Sequence, residues 1–288
     1  MNPFGILTQI LRISIPYLFA AAGGVVAERA GIISLTLEGF MLTGAFAGTL
    51  GAYYSGNPWI GVLCGLFGGL VFGMIHAIAS IRFRADQVVM GVAINLLAVG
   101  VTRFFLLLLF NSSSNSPRVV GFGGDSSFGF DNPLLWLGLL SAPILAWVIY
   151  KTPYGLRVRA VGEHPVAAET LGVRVKAVRY GAVCLSGMLA SLGGVYLALD
   201  QHQFTSNMTA GRGFIAISAV IFGRWDPLRA GAACLLFAAA ETAQIHLQGS
   251  NSIPSQFVEM IPYALTIIAL AGVVGKAVPP AALGKAEH

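Results

Sequence analysis

Long apolar runs alternate with short polar turns along most of the chain. A helix needs roughly 17 to 25 mainly apolar residues to cross a bilayer. Segments near or above that length, and one shorter run at 211–223, predict about eight or nine crossings: 6–27, 35–54, 59–81, 87–110, 133–150, 177–199, 229–247 and 255–275. The pattern therefore predicts an all-α polytopic membrane protein with a single transmembrane domain over 1–288.

Composition agrees with this class. Apolar residues make up 56% of the chain and charged residues only 10%, whereas soluble domains carry roughly 25% charged residues. The 36 glycines suit helices that approach closely in lipid, and the short alternating strands of a membrane barrel are missing from the pattern. We expect a multi-pass protein of the cell membrane. Because the basic residues lie at the ends of apolar runs, the net charge of +5 does not indicate a nucleic-acid partner.

The distribution of basic residues predicts the orientation. Loops that carry Lys and Arg tend to lie in the cytoplasm, and four places are basic: Arg82 with Arg84, the loop 151–179, Arg224 with Arg229, and Lys276 with Lys285. The segment 111–132 instead holds one arginine and two aspartates among many Ser and Gly residues. We expect an external N-terminus and a cytoplasmic C-terminus if 200–223 makes one inward crossing. Alternatively, 211–223 is a broken or re-entrant helix.

A weak internal repeat relates two of the apolar segments. Residues 61–76 and 231–246 share Gly, Cys, Leu and Phe at a constant offset and both end in Ile-His. Each copy follows an aromatic-Pro turn and, further upstream, a Gly-Phe pair at Gly39-Phe40 or Gly213-Phe214. Inverted repeats with interrupted helices build transport pathways near the bilayer midplane. The alternative is a chance match within Gly/Ala/Leu-rich sequence.

The loop 151–179 contains a short segment with the features of a docking helix. His164 occupies the N-cap position, Pro165 the first helical position, and Gly172 the end. Ala167, Ala168 and Leu171 are spaced to share one face, which predicts a small apolar surface for a soluble partner. Glu163 and Glu169 complete the candidate surface, which comprises Glu163, His164, Pro165, Ala167, Ala168, Glu169, Leu171 and Gly172. An ordinary surface helix is the alternative.

Several polar residues fall within or at the edges of the predicted spans, where a charge is costly and should face the bundle interior or a wet cavity. Glu28, Arg29 and Gly31 indicate an interrupted helix, for which we favour a structural ion pair or interhelical anchor over substrate contact. The candidates for the translocation pathway are Glu38, Phe40, Asn95, Phe214 and Gln244.

No motif for catalysis accompanies these features. The run 272–276 has the wrong spacing for a phosphate-binding loop and lacks the hydroxyl residue that should follow the lysine. Motifs for a nucleophile with its base, or for a metal site, are also missing from the sequence. We therefore expect this chain not to be an enzyme, and to hold no cofactor or metal of its own.

Three sequence motifs together resemble the permease subunits of bacterial ABC importers of the branched-chain amino acid, ribose and nucleoside group. They are Glu28-Arg29-Ala30-Gly31 continuing to Glu38-Gly39-Phe40-Met41, then 159–169, and Gly211-Arg212-Gly213-Phe214 leading to 222–227. The first and third are similar to the nucleoside type, whereas ribose-type members carry Gly-Ile-Asp-Leu-Ser where this chain has 31–35. His164 stands where the family more often has Asn.

The resemblance implies import of a nucleoside or purine-like solute, with a simple sugar as the alternative. It also implies three partners: a cytoplasmic ATPase that binds 163–172 and carries ATP and Mg²⁺, a second permease that is a related but different chain, and an extracytoplasmic binding lipoprotein. A rival hypothesis is an ion-coupled secondary transporter that uses Glu38 and Glu241 as proton or cation sites.

Overall fold

The computed structural model describes residues 3–122, 131–248 and 278–285. Within these ranges the chain is helical, and the one extended pairing is an isolated antiparallel bridge between Asn115 and Thr205. The helices are α1 Pro3–Arg29, α2 Leu37–Ser55, α3 Pro58–Ala77 continued by a π-helical turn Ile78–Arg82, α4 Gln87–Phe110, α5 Pro133–Lys151, α6 Pro153–Glu163, α7 Pro165–Thr170, α8 Val175–Asp200, α9 Arg212–Phe222 and α10 Pro227–Gln248.

Six of these helices are long and apolar enough to cross a membrane, as expected for a polytopic protein: Phe4–Arg29, Pro58–Arg82, Gln87–Phe110, Pro133–Lys151, Val175–Asp200 and Pro227–Gln248. The predicted segments 35–54 and 211–223 are helices as well, α2 and α9. The predicted span 255–275 lies outside the described residues.

Asx or Thr side chains followed by proline begin several of the helices. Asn57, Asn132 and Thr152 each accept a hydrogen bond from a backbone N–H of the first turn. The proline that follows each of them has no N–H to leave unpaired and already has a helical φ. These positions explain why the helix starts could be read from the sequence to within a few residues.

Glycine allows α2, α3 and α8 to pack with their backbones almost in contact. A Cβ added to Gly194 of α8 would lie 1.8 Å from the Met41 carbonyl oxygen, and one added to Gly44 of α2 would lie 2.4 Å from the Ser191 Cβ. A Cβ on Gly69 of α3 would lie 2.3 Å from the Gly187 carbonyl oxygen. Such close approach provides the van der Waals contact that holds helices together in lipid.

Two helices begin near the middle of the bundle. Pro16 is the central residue of α1, and Gly193 packs against its backbone while the adjacent Gly194 packs against Met41. Because these two glycines are adjacent, Pro16 and Met41 lie at about the same depth in the bundle. Met41 is only one turn after the first residue of α2, so α2 begins close to the mid-depth of α1. Gly213, at the start of α9, in turn packs against the Glu38 backbone.

The helix α9 covers only part of the bilayer depth. Its 11 residues span about 16 Å, roughly half of the hydrocarbon thickness. The turn after it meets the C-terminal end of α1, where the Arg29 Nε donates to the Trp225 carbonyl oxygen at 2.8 Å. We call this end of the bundle the basic end. Residues 201–222 therefore return to the basic end as a loop followed by a half-length helix, which combines the two alternatives that the sequence left open.

The predicted repeat falls on two hairpins, α2–α3 and α9–α10, that run in opposite directions. α3 ends near the basic end, where the His76 Nε2 lies 3.3 Å from the Ile33 carbonyl oxygen, whereas α10 begins there. An Asx side chain caps the start of both long helices: Asn57 accepts from the Trp59 N–H, and Asp226 from the Arg229 N–H. This local geometry is that of an inverted repeat.

Candidate functional site

The loop after α5 folds into two short helices at the basic end. Glycine at position 162 lets α6 approach α1, because a Cβ there would lie 2.0 Å from the Arg29 carbonyl oxygen. His164 separates α6 from α7, and Pro165 begins α7 as predicted. The helix ends at Thr170, and Gly172 follows in a left-handed conformation with φ of 82°. The His164 ring does not cap the helix, although its backbone has the N-cap position.

The predicted apolar face of α7 is divided between the interior and the surface. Ala168 is 3% exposed and packs with Val161 and Val175, so it holds α7 against the bundle. Leu171 is 84% exposed, and Ala167 is exposed as well. The expectation that Ala168 shares an outward face with these two residues was wrong, because α7 needs an internal contact to be held in place. Val166, 76% exposed, extends the outward apolar surface instead.

The two glutamates of this segment have different surroundings. Glu169 is exposed on α7. The Glu163 carboxylate accepts a hydrogen bond from the Ala281 N–H at 3.3 Å, so part of it is used within the chain. Tyr154 is partly buried on α6, and burial raises the pKa of its phenol above the ordinary value.

Glu28 and Arg29 both bind Trp225 in the α9–α10 turn. The Trp225 indole N–H donates to the buried Glu28 carboxylate, which also accepts from the Ser34 N–H at 3.3 Å. Arg29 donates to the Trp225 carbonyl oxygen and to the Tyr150 hydroxyl. Among the described residues Glu28 and Arg29 therefore bond to this turn and not to each other, so the predicted ion pair was wrong and the interhelical anchor describes the geometry.

The same turn contains unusual backbone conformations. Arg224 and Trp225 have φ of 52° and 58°, a left-handed region that side-chain-bearing residues rarely adopt. α1 itself ends just before Gly31, whose φ of 90° reverses the chain towards α2. The interruption predicted at Glu28–Gly31 is thus the end of a helix.

Glu38 connects the starts of two helices at mid-depth. One carboxylate oxygen accepts from the Thr209 hydroxyl at 2.6 Å and the Gly211 N–H at 2.8 Å, and the other from the Gly213 N–H at 2.7 Å. The side chain, which belongs to the first turn of α2, therefore caps the N-terminus of α9. Its charge is also favourably placed for the helix dipole.

Asn95 of α4 caps the N-terminus of α2, as Glu38 caps the N-terminus of α9. Its amide oxygen accepts from the Gly39 N–H at 2.8 Å, and its amide nitrogen donates to the Leu35 carbonyl oxygen at 2.9 Å. Glu38 and Asn95, both candidates for the pathway, thus stabilise the two half-depth helix starts in this conformation.

The other pathway candidates lie in different environments. Phe40 is 1% exposed and packs edge-on against the His76 ring, so it does not line an open path in this conformation. Phe214 is half-exposed on α9, and Gln244 is partly buried on α10. The structure brings Glu38 and Asn95 to the two adjacent helix starts but does not place all five residues on one surface.

Several residues at mid-depth were not singled out as pathway candidates. Arg212 pairs with Glu241 at 3.0 Å, and the Tyr17 hydroxyl donates to the same carboxylate. Arg212 lies in the Gly-Arg-Gly-Phe phrase and Glu241 within an apolar run, and these were the available signals. Tyr17 and Thr209 gave no signal, because each is an ordinary residue for its local sequence.

These groups are arranged to hold helices and bind a solute, and not to make or break covalent bonds. The carboxylate, guanidinium and hydroxyl groups at mid-depth form hydrogen bonds with one another and with helix ends. Over the described ranges, groups of three or more His, Cys, Asp or Glu side chains placed to hold a metal ion are absent. The arrangement is a membrane bundle with a small exposed apolar surface at its basic end and a polar cluster where α2 and the half-length helix α9 both begin.

Comparison with known proteins gives the same class. The family model described as branched-chain amino acid transport system / permease component matches residues 6–270. The chain is 38% identical to the guanosine ABC transporter permease protein NupQ of Bacillus subtilis, over 97% of this chain and 95% of that one. It is 37% identical to the nucleoside ABC transporter permease protein NupC of Lactococcus lactis subsp. cremoris, with the same coverage.

A solved structure has a similar fold. It is described as an inward-facing conformation of a metal-chelate type ABC transporter, and it aligns with a TM-score of 0.57 at 15% identity, over 93% of this chain and 86% of that one. At this identity the likeness concerns the fold alone. The helical bundle, the matched family model and the full-length relatives lead to one conclusion: the chain belongs to the permease component family of the branched-chain amino acid transport type, the membrane-spanning subunits of ABC transporters.

Proposed function

We propose that this chain is the permease subunit of an ABC importer that moves a purine nucleoside or a similar solute across the cytoplasmic membrane. The substrate class is supported by similarity along nearly the whole chain to a guanosine permease and a nucleoside permease. The energy source is a separate ATPase. The observation that carries this assignment is α7 at the basic end, a helix that the bundle holds in place and that Leu171, 84% exposed, directly follows.

The ATPase binds the outward side of the segment 163–172. Leu171, Val166 and Ala167 provide apolar contact, and Glu169 gives the surface a negative charge. An apolar helix face that enters a groove is a common mode of recognition. Because a two-turn helix is not stable alone in water, the internal contact of Ala168 is what makes α7 a firm point of attachment.

A second permease, related but different in sequence, completes the pathway. The helix α4 supports this, since only 22% of its most apolar 18-residue stretch is buried within this chain. It also carries Asn95, a polar residue near mid-depth. A solute path between two such chains would be lined by residues from both, and an extracytoplasmic lipoprotein would deliver the solute.

Transport follows from movement of the two hairpins against each other. ATP-driven closure of the ATPase pair pushes on α7, and α6 transmits the displacement to the end of α1, with which it is in backbone contact. Rocking of α2–α3 against α9–α10 about the mid-depth junction would then alternate access from one end to the other.

The test uses the complete complex of both permeases, ATPase and lipoprotein. We expect Leu171→Ala to lower guanosine uptake by about fivefold or more, because truncating one of the few central side chains that carry most of an interface's binding energy costs over about 1 kcal/mol. Leu63→Ala is the matched control, because Leu63 is 65% exposed on the flank of the bundle. Co-purification of the ATPase and uptake of labelled guanosine and ribose are measured together.

Two outcomes would contradict parts of this proposal. Uphill uptake by the permeases in liposomes without the ATPase would favour the ion-coupled alternative. Uptake of ribose in preference to guanosine would favour the simple-sugar alternative and leave the coupling assignment intact.

A further inference from the structure

The C-terminal segment 278–285 lies across the basic end and is bonded to two separate parts of the bundle. The Ala282 N–H donates to the Gly162 carbonyl oxygen at 2.9 Å, and the Ala281 N–H to the Glu163 carboxylate at 3.3 Å. On the other side, the Gly284 N–H donates to the Gly31 carbonyl oxygen at 3.2 Å. Ala282, between these bonds, is 4% exposed.

The first of the two attachment points is next to the proposed ATPase contact. Gly162 and Glu163 are the last residues of α6, and α7 begins two residues later at Pro165. A displacement of α7 therefore acts first on the carbonyl group and side chain that hold the C-terminal segment.

The second attachment point is the reversal between α1 and α2. Gly31 follows Arg29, which binds the α9–α10 turn, and precedes α2, whose Glu38 caps α9. Ile33 packs against Gly284 from the same reversal, since a Cβ on Gly284 would lie 2.8 Å from the Ile33 Cδ1. This short stretch of chain thus connects to both hairpins of the repeat.

We infer that the segment 278–285 is a clamp that joins the coupling helices to the α1–α2 reversal, so that displacement of α7 reaches the mid-depth junction. This inference rests on the proposed coupling function of α7. Three backbone N–H groups make the attachments, and two of them bond to backbone carbonyl groups, which have no rotamers to change, so these two bonds make the connection stiff. Ala282 and Gly284 are positioning residues that act through Gly162 and Gly31.

The direct α6–α1 contact alone would be a weaker connection. At that contact Gly162 approaches the Arg29 carbonyl group without a hydrogen bond between them, so the two backbones could slide. The clamp bonds to the neighbouring carbonyl groups on both sides and prevents such sliding. Coupling between distant sites needs contiguous elements of this kind, and it has to be measured as coupling.

The test measures solute transported per ATP hydrolysed in the reconstituted complex. Ala282→Pro removes the N–H that binds Gly162, whereas Ala282→Gly keeps it and serves as the matched control. We expect Ala282→Pro to retain the ATPase and its basal hydrolysis, and to lower guanosine uptake per ATP by about fivefold or more, in the range of typical coupling factors. Ala282→Gly should stay within about twofold of the unchanged chain, which is small beside those factors.

A second variant strains the other end of the clamp. Gly284 has φ of 74°, so Gly284→Ala strains the backbone and presses on Ile33 without touching α6. It should lower uptake per ATP in the same direction, and it serves if Ala282→Pro does not fold.

The outcomes separate this inference from the proposed function. Unchanged uptake per ATP in both folded variants would overturn the clamp. Loss of the ATPase from the purified complex would also overturn it, because the segment would then build the docking surface and not relay movement. Failure of Leu171→Ala to affect transport would count against the ATPase contact itself.

Discussion

The Glu38 carboxylate accepts hydrogen bonds from three donors that lie at least 171 residues further along the chain. It is 8% exposed, so these donors have little access to other partners. A single side chain of α2 therefore fixes where α9 begins. Nothing in the local sequence of Glu38 indicates this, because an acidic residue near a helix start is equally compatible with a pathway site.

Replacing Glu38 should destabilise the protein markedly. Glu38→Ala leaves the donors of Thr209, Gly211 and Gly213 without this acceptor, and we expect a loss of about 1.5 to 3 kcal/mol, the range for hydrogen bonds to a charged group. Asp200→Ala is the control, since its ion pair with Arg12 is partly exposed and should contribute at most about 1 kcal/mol. Thermal unfolding of both variants in detergent measures the difference. Equal effects would argue against a capping role for Glu38.

At the scale of the helices, the packing of α8 depends on what its glycines leave out. Gly187, Gly193 and Gly194 each face the backbone of a neighbouring helix. The glycine content of the chain predicted close helix contacts in general, and the structure confirms them. Which glycines are involved could not be read from the sequence, because the contacts depend on the rotation of each helix about its axis.

A matched pair of substitutions tests this packing. Gly194→Ala places a Cβ 1.8 Å from the Met41 carbonyl oxygen, so α2 and α8 must separate, and we expect a loss of about 1 to 3 kcal/mol or more. Gly100→Ala on α4 meets nothing within 4 Å and should be neutral or stabilise the helix by up to about 1 kcal/mol. Midpoints of thermal unfolding should separate the two variants. Similar midpoints would mean that α2 and α8 are less tightly packed than described.

At the scale of the whole molecule, the basic end gathers the coupling helices, the end of α1, the α9–α10 turn and the clamp. The positive-inside rule predicts that this end lies in the cytoplasm. The turn between α2 and α3 lies at the opposite end, so the two ends should differ in their access to reagents.

Cysteine labelling in intact cells tests the orientation. In a background with Cys64, Cys184 and Cys234 replaced by alanine, Ser55→Cys should react with a membrane-impermeant maleimide added outside. Leu171→Cys should react only after the cells are permeabilised, because α7 faces the cytoplasm. Labelling in the reverse order would invert the topology and would rule out a cytoplasmic ATPase at α7.

The sequence predicted the elements of this molecule better than their contacts. Apolar length and Asx-Pro starts place α3 and α5 to within one or two residues, because both signals are local. In the same way, Pro165 and Gly172 predicted the start and the end of α7 to within two residues. Ala168 was placed wrongly because burial depends on which face of a helix meets its neighbours, and a short helix with few polar residues does not reveal that face.

The hydrogen bond between Glu28 and Trp225 has a consequence for biosynthesis. α1 leaves the ribosome well before the α9–α10 turn, because the indole N–H that satisfies the Glu28 carboxylate is made 197 residues later. Until then the nascent chain holds an acidic group in α1 without its final partner, at considerable cost in lipid. Chains released before Trp225 is synthesised therefore cannot pack α1 in its final position. We expect membrane proteases to degrade them.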